Sequence, residues 1–436
     1  MYIVISIFII IISFKILKKA NIDMNISGLN MISYVYYVYF ILMSYIAQVM
    51  ILENIFFTQD LPGLYSIYYN KCLYVWMSTS YAMIAFPLTI YLLNKYIFKR
   101  KAVYNNFNKS DLIIDIHSNS FIYCILSLFS IISIIYLVSK LNYIGVLNLF
   151  FGGYDSILRT DFTYNLQYNQ YIVGIVGFMI SQMLTYVWYI KWSLFKNKKY
   201  LIMFLIMLIF SIIILSMRLA KASIILYLFS ILLLKIKING RIKTNKIFFI
   251  VLTLFILLIF IYNATYDINL NDIFIKINHR ILLGQNMGNY FCFICFPDIF
   301  PYLGFSSLSE KFSSLLGIPY SLRAARIIYD YAFGISSGIN GTIVSLFIGD
   351  AWASFGLLGI FISPILVGAI LATVYYTTYY SNKIEMWALY AYLSVNNYVV
   401  MDFASFVYPW STYIQPALVT LIIIFLGMRT KKRITV

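Results

Sequence analysis

The residues of this chain best placed to do chemistry are cations and carboxylates set among long apolar runs. Arg218 and Lys221 stand in Ser216-Met217-Arg218-Leu219-Ala220-Lys221-Ala222-Ser223, directly after an uninterrupted apolar stretch, and their spacing of three puts both on one helix face. Two cations at a membrane boundary, with no acid near in sequence, suit a phosphate or pyrophosphate group. Snorkelling to head groups, or the shaping of a tight helical hairpin, explains them as well. Arg159 lies in Gly152-Gly153-Tyr154-Asp155-Ser156-Ile157-Leu158-Arg159-Thr160-Asp161, where it could hold a phosphate or pair with Asp155 or Asp161. Arg323, Arg326 and Asp330 fall at i, i+3 and i+7, on one face of a helix that Ser321 should cap and that should run through Tyr331. An Arg326–Asp330 surface pair would contribute only about 0–1 kcal/mol, and it accounts for one arginine, not both.

Asp350 is placed where a later span enters the bilayer, beside Gly349 and two residues before Trp352. A carboxylate at that depth is costly unless it is paired or working, and partial desolvation moves its pKa toward that of a general base. Pairing with an arginine of the same segment explains it too, and both readings hold together. Asp402 and Asn396 form a second candidate pair that would line the same cavity. Upstream, Lys276, His279, Arg280 and Gln285 make a polar patch on an otherwise apolar helix, with His279 read as a surface or hydrogen-bonded residue rather than a base. The stretch Phe333-Gly334-Ile335-Ser336-Ser337-Gly338-Ile339-Asn340-Gly341 breaks the helix and permits close backbone approach. Cys292 and Cys295 form a C-x-x-C without a second pair or histidines beside it. That argues against zinc and leaves a disulfide open if the segment is extracytoplasmic.

The elements that must carry these residues follow from composition. Of 436 residues 62% are hydrophobic and 11% charged, with a mean hydropathy of +0.86, which fits an all-α, polytopic membrane protein and excludes a soluble domain. About eleven transmembrane helices are expected, near 2–17, 31–51, 72–94, 119–139, 171–190, 201–217, 219–235, 247–264, 352–375, 386–407 and 412–428. The first is read as a retained span, because no Ala-x-Ala site follows it. No repeat or low-complexity linker marks a second domain, so residues 1–436 read as a single integral membrane domain. Within it, residues 265–351 form a large outer loop between the eighth and ninth spans.

Net charge is +17, but it lies in short clusters between spans, which argues against nucleic acid. With this span map, 22 of the 32 basic residues and only four of the 15 acids fall on one side. The positive-inside rule makes that side cytoplasmic, with the C-terminus there and the N-terminus outside, and anionic lipid head groups are the natural contact for the charge. Tyr and Phe supply most of the 19% aromatic content, which suits interfacial belts and sugar-stacking surfaces alike.

Taken with this map, three stretches resemble bacterial O-antigen polymerases of the Wzy type: Arg280-Ile281-Leu282-Leu283-Gly284-Gln285; Gly338-Ile339-Asn340-Gly341; and Phe347-Ile348-Gly349-Asp350-Ala351-Trp352-Ala353-Ser354-Phe355-Gly356-Leu357-Leu358-Gly359. Asp350 stands where many relatives have Glu, which keeps a carboxylate but shortens its reach. The resemblance implies a multi-pass protein of the bacterial inner membrane whose large loop is periplasmic. It implies a metal-independent glycosyltransferase with no cofactor, moving a growing glycan from undecaprenyl pyrophosphate onto a lipid-linked repeat unit. The partners implied are the undecaprenyl-pyrophosphate-linked oligosaccharide, membrane lipids and, as a further candidate, a chain-length regulator, with no nucleic acid. On this reading Arg218, Lys221, Arg280, Arg323, Arg326 and Arg159 contact pyrophosphate, Asp350 or Asp330 acts on the acceptor, and Trp352, Asn340 and Gln285 meet the glycan. A lipid-linked oligosaccharide flippase and an O-antigen ligase are the competing expectations. One dominant outer loop and few charges deep within spans count against the flippase, whereas sequence alone separates the ligase poorly.

Overall fold

In hydrocarbon every backbone amide must bond within its own segment, so runs of Ile, Leu and Phe of this length form helices. The computed structural model describes residues 1–55, 69–100, 120–140, 145, 171–217, 221–266, 282, 284–334, 341–395 and 402–429, and no strand occurs among them. In chain order the helices are α1 (Tyr2–Lys19), α2 (Met31–Leu52), α3 (Asn70–Phe98), α4 (Ser120–Ser139), α5 (Ile172–Phe195), α6 (Lys198–Ser216), α7 (Ala222–Asn239) and α8 (Thr244–Tyr266). They continue with α9 (Gly284–Cys295), α10 (Glu310–Leu315), α11 (Ala324–Phe333), α12 (Phe347–Phe355), α13 (Leu357–Tyr379), α14 (Ile384–Val395) and α15 (Trp410–Leu426). Seven of these, α2 to α7 and α13, are long and apolar enough by length and composition to cross a membrane. Hydroxyls within them turn back on their own helix: Thr79 donates to the Val75 carbonyl at 2.9 Å, Ser127 to Tyr123 at 2.7 Å and Thr373 to Ala369 at 2.8 Å. That satisfies them without water.

Two cores result. One gathers α1, α2, α3, α9, α12 and α13; the other gathers α4, α5, α6 and α7. Helix α14 is the seam, giving Leu389, Tyr390 and Leu393 to the first core and Trp387, Ala388 and Ala391 to the second. Close backbone approach fixes the first core. A Cβ on Gly288 would lie 2.2 Å from the Val344 carbonyl oxygen, and one on Gly359 would lie 2.0 Å from that of Ala351.

Among the described residues, basic clusters converge on one end of the bundle. There Asn94 Nδ2 donates to the Ala20 carbonyl at 3.0 Å, Arg241 pairs with Asp23 at 3.0 Å, and Lys237 sits 3.9 Å over the Tyr379 ring. At the opposite end the N-terminal amine meets Glu53 at 3.1 Å and Lys71 meets Asp298 at 2.7 Å. Two lysines of the basic end do not face lipid as expected. Lys191 is buried, donating to Ser120 Oγ at 2.6 Å and lying 4.7 Å over the Tyr123 ring, whose hydroxyl donates to Glu385 at 2.6 Å. Lys237 is buried against Tyr379 and Trp387.

Several expected boundaries are corrected. The span expected over 352–375 starts later, at Leu357, because Gly356 takes a left-handed φ of +59° and separates it from α12. The span expected over 386–407 is not one continuous helix: α14 is described through Val395, Asp402 and Phe403 are non-helical, and Ala404–Val407 is a separate helical turn. The segment expected as an outer loop over 265–351 contains α9, whose Tyr290, Phe291, Cys292 and Cys295 are core residues packed against α3 and α12. Its two cysteines are free, so the disulfide left open above is not formed. Ser321 does not cap α11. Arg323 occupies that position, without a side-chain cap, and Ser321 bonds Ser306 instead.

Gly288→Val should therefore force α9 away from Val344 and lower stability by about 1–3 kcal/mol, as overpacking does. Thermal unfolding of the purified protein in detergent reads the change.

Candidate functional site

Three segments distant in sequence bring opposite charges together at the end that carries Glu53, Lys71 and the start of α13. From α12, Asp350 extends Oδ2 to accept the Ala404 amide at 3.1 Å. From the break after α14, Asp402 Oδ2 accepts Arg323 Nη1 at 2.9 Å and the Ser405 hydroxyl at 2.7 Å. Arg323 comes from the start of α11, and its side chain is 48% exposed, so its guanidinium reaches solvent while holding Asp402.

Electrostatics divides the two carboxylates. Burial pushes the Asp350 carboxyl up from 3.8 to about 7, and the nearby Asp402 charge adds to the rise; the Ala404 amide and the Arg323 charge oppose it. One carboxylate is thus ion-paired and the other is poised to exchange a proton near neutrality, an arrangement suited to proton transfer beside a bound anion.

Arg326 is used differently. Its Nε donates to Asp330 Oδ2 at 3.0 Å, Nη2 meets Asp330 Oδ1 at 3.0 Å, and Nη1 donates to the Gly341 carbonyl at 3.2 Å. All three nitrogens are engaged, and Asp330 is their partner, so this pair braces α11 against the return to α12. Trp352 is also built into the frame: its indole nitrogen donates to the Phe296 carbonyl at 2.8 Å, and its ring stacks on Phe293 at 4.7 Å. That ring face is closed to a sugar.

Of the remaining sequence candidates, Arg159, Arg218, Arg280, Asn340 and Asn396 lie outside the described residues. Lys221 and Gln285 are placed at the backbone only, at the starts of their helices. Behind Asp350, Asn289 is 2% exposed, and neither polar atom of its side chain has a hydrogen-bond partner among the described residues. Its Oδ1 lies 2.7 Å from where a Cβ on Gly349 would stand, so it borders the Asp350 turn. Sequence reasoning missed Asn289, since an asparagine in a mixed stretch carries no signal. The Asp402–Arg323 pairing was also missed, although Asp402 is the one acid after Glu385 in the whole chain.

The fold and this rim define a helical polytopic membrane protein with an arginine–carboxylate site at one end of the bundle. In comparison with other proteins, the chain matches no family model, no curated protein and no solved structure.

Because Asp350 holds its proton to higher pH when folded than when unfolded, the folded state binds the extra proton between 3.8 and about 7. Stability from this group is therefore full below that window and lost as pH rises through it. Thermal unfolding measured across the window should show the wild type losing stability with rising pH, and Asp350→Asn losing less.

Proposed function

We propose that the chain is a surface-polysaccharide polymerase of the bacterial inner membrane, joining lipid-linked repeat units at its periplasmic face. The observation that carries the reading is the meeting of Arg323, Asp402 and Asp350 at the end of the bundle opposite its basic clusters. The positive-inside rule makes that end periplasmic, which puts the N-terminus outside and the C-terminus in the cytoplasm. The resemblance over the Phe347-to-Gly359 stretch points the same way.

In the proposed reaction the acceptor sugar hydroxyl attacks the anomeric carbon of the donor glycan. A glycosidic C–O bond forms, the bond from that carbon to the pyrophosphate oxygen breaks, and the electron pair leaves with undecaprenyl pyrophosphate. Arg323 offers its exposed nitrogens to the developing negative charge. Ionised Asp350 takes the hydroxyl proton and releases it to solvent, and a pKa near the working pH favours both steps. Asp402, 2.9 Å from Arg323 Nη1, keeps that arginine oriented.

Purified protein supplied with synthetic lipid-linked repeat units should form polymer, and Arg323→Ala should lower the rate by on the order of a hundredfold. Arg326→Ala should instead mainly lower thermal stability, because its nitrogens are all taken by the protein. Full polymer yield from Arg323→Ala would remove the site from the reaction. The acidic limb of the rate profile should lie near pH 7 and move lower in Asp402→Asn, which takes a negative neighbour from Asp350. In cells, gene deletion should leave single-repeat surface glycan. Loss of all surface glycan would indicate a flippase, and polymer retained on its carrier a ligase.

A further inference from the structure

The stretch from Ile299 to Leu322, between α9 and α11, is turned inside out for a loop in water. Several of its hydroxyls turn inward: Ser313 Oγ donates to the Ser306 carbonyl at 3.0 Å, Ser306 and Ser321 hydroxyls lie 2.9 Å apart, and Ser307 and Ser313 are buried, while the exposed Ser314 hydroxyl is satisfied within the stretch by the Lys311 carbonyl at 2.9 Å. Its backbone is likewise closed on itself, with Leu316 donating to Phe312 at 3.1 Å, Ile318 to Ser313 at 2.9 Å and Ser321 to Ser306 at 3.1 Å. Leu308 anchors it in the core, and from Leu315 to Leu322 the large apolar side chains point out. Leu315 is 81% exposed and Leu322 is 53% exposed, with Leu316, Ile318 and Tyr320 exposed between them. Glu310 and Lys311 are its only charged residues.

Its depth is set by neighbours. Leu303 and Gly304 donate backbone hydrogen bonds to the Ala353 and Ser354 carbonyls at 3.0 and 2.8 Å, and Tyr302 lies over Gly356, the residue before the span α13. Leu357 and Leu358, which open that span, are 64% and 68% exposed, so the apolar surface of the span continues onto the stretch. Satisfied polar groups within and apolar groups without are what hydrocarbon selects, and an apolar surface continuous with a span is covered by the same solvent as the span.

We propose that residues 299–322 form a lip seated in the outer-leaflet interface of the bilayer, with acyl chains as the occupant of its apolar face. The lip ends at Leu322, and Arg323 follows at once with its guanidinium on Asp402. A lipid-borne anionic head group moving along the lip would meet the site cation without leaving the interface. The lipid contact itself stands whichever reaction the site performs.

The test uses the full chain in nanodiscs of phosphatidylethanolamine and phosphatidylglycerol, with a bimane fluorophore on Leu316→Cys and, separately, on Ile318→Cys. Both positions are exposed, so neither substitution disturbs the core. Labelling of the unsubstituted protein gives the background from the native cysteines. Nitroxide-bearing lipid, with the nitroxide near the head-group end of its acyl chain, should quench both positions, and aqueous iodide should not. Quenching by iodide and not by lipid would overturn the proposal in favour of a solvated loop. Protection from both quenchers would overturn it in favour of a protein partner. Neither readout depends on polymer formation, so failure here is distinct from failure of the polymerase reading.

Discussion

A charge inside an apolar bundle must be matched where it lies, and much of this molecule is arranged around that constraint. At the basic end the clusters between helices stay at the rim, while the two lysines carried inward, Lys191 and Lys237, are met by aromatic faces, a serine hydroxyl and a neighbourhood that includes Glu385. At the other end the same rule gives Arg323 to Asp402, Arg326 to Asp330 and the Ala404 amide to Asp350. Asp350 is the member matched least by charge, and its raised pKa follows from that shortfall.

The site depends on interruptions in the helices rather than on the helices themselves. The left-handed turn at Gly356 detaches α12 from its span, so Asp350 is held at the mouth of the bundle instead of in the first turn of α13. Non-helical backbone at Asp402 and Phe403 interrupts the expected span, and from it Asp402 reaches sideways to α11. A continuous pair of spans would have hidden both carboxylates along helix faces. Irregular backbone at such a depth persists where protein covers it or where it borders a cavity.

Hydropathy located the apolar segments well, because span length and charge exclusion are strong constraints that act locally. It placed helices over α2 to α7 and over most of α13, and it grouped the basic residues that the bundle gathers at one end. What it misread were places where tertiary contact decides. The stretch Gly284–Cys295 is expected within an outer loop, and nothing local shows that α3 and α12 cover it. Asp402 looked like a residue on a span face because nothing in the local pattern marks the non-helical backbone at Asp402 and Phe403. The pairing of Arg326 with Asp330 was legible from spacing alone, since i and i+4 lie on one helix face. The partner of Arg323 was not, since it comes from 79 residues away.

The three-way engagement of Arg326 has a consequence in entropy. A long guanidinium side chain has rotamer freedom worth about 2 kcal/mol, and here it is surrendered at folding to Asp330 and the Gly341 carbonyl rather than on ligand arrival. The opening of α11 is thereby tied to the strand of backbone that leads into α12. Arg323 and Asp350 are carried on those two pieces, so their separation is set by the fold itself, and in the proposed reaction little ordering would be left for binding to oppose. A lysine in place of Arg326 would keep the charge but could not span both partners, and the opening of α11 would lose that tie.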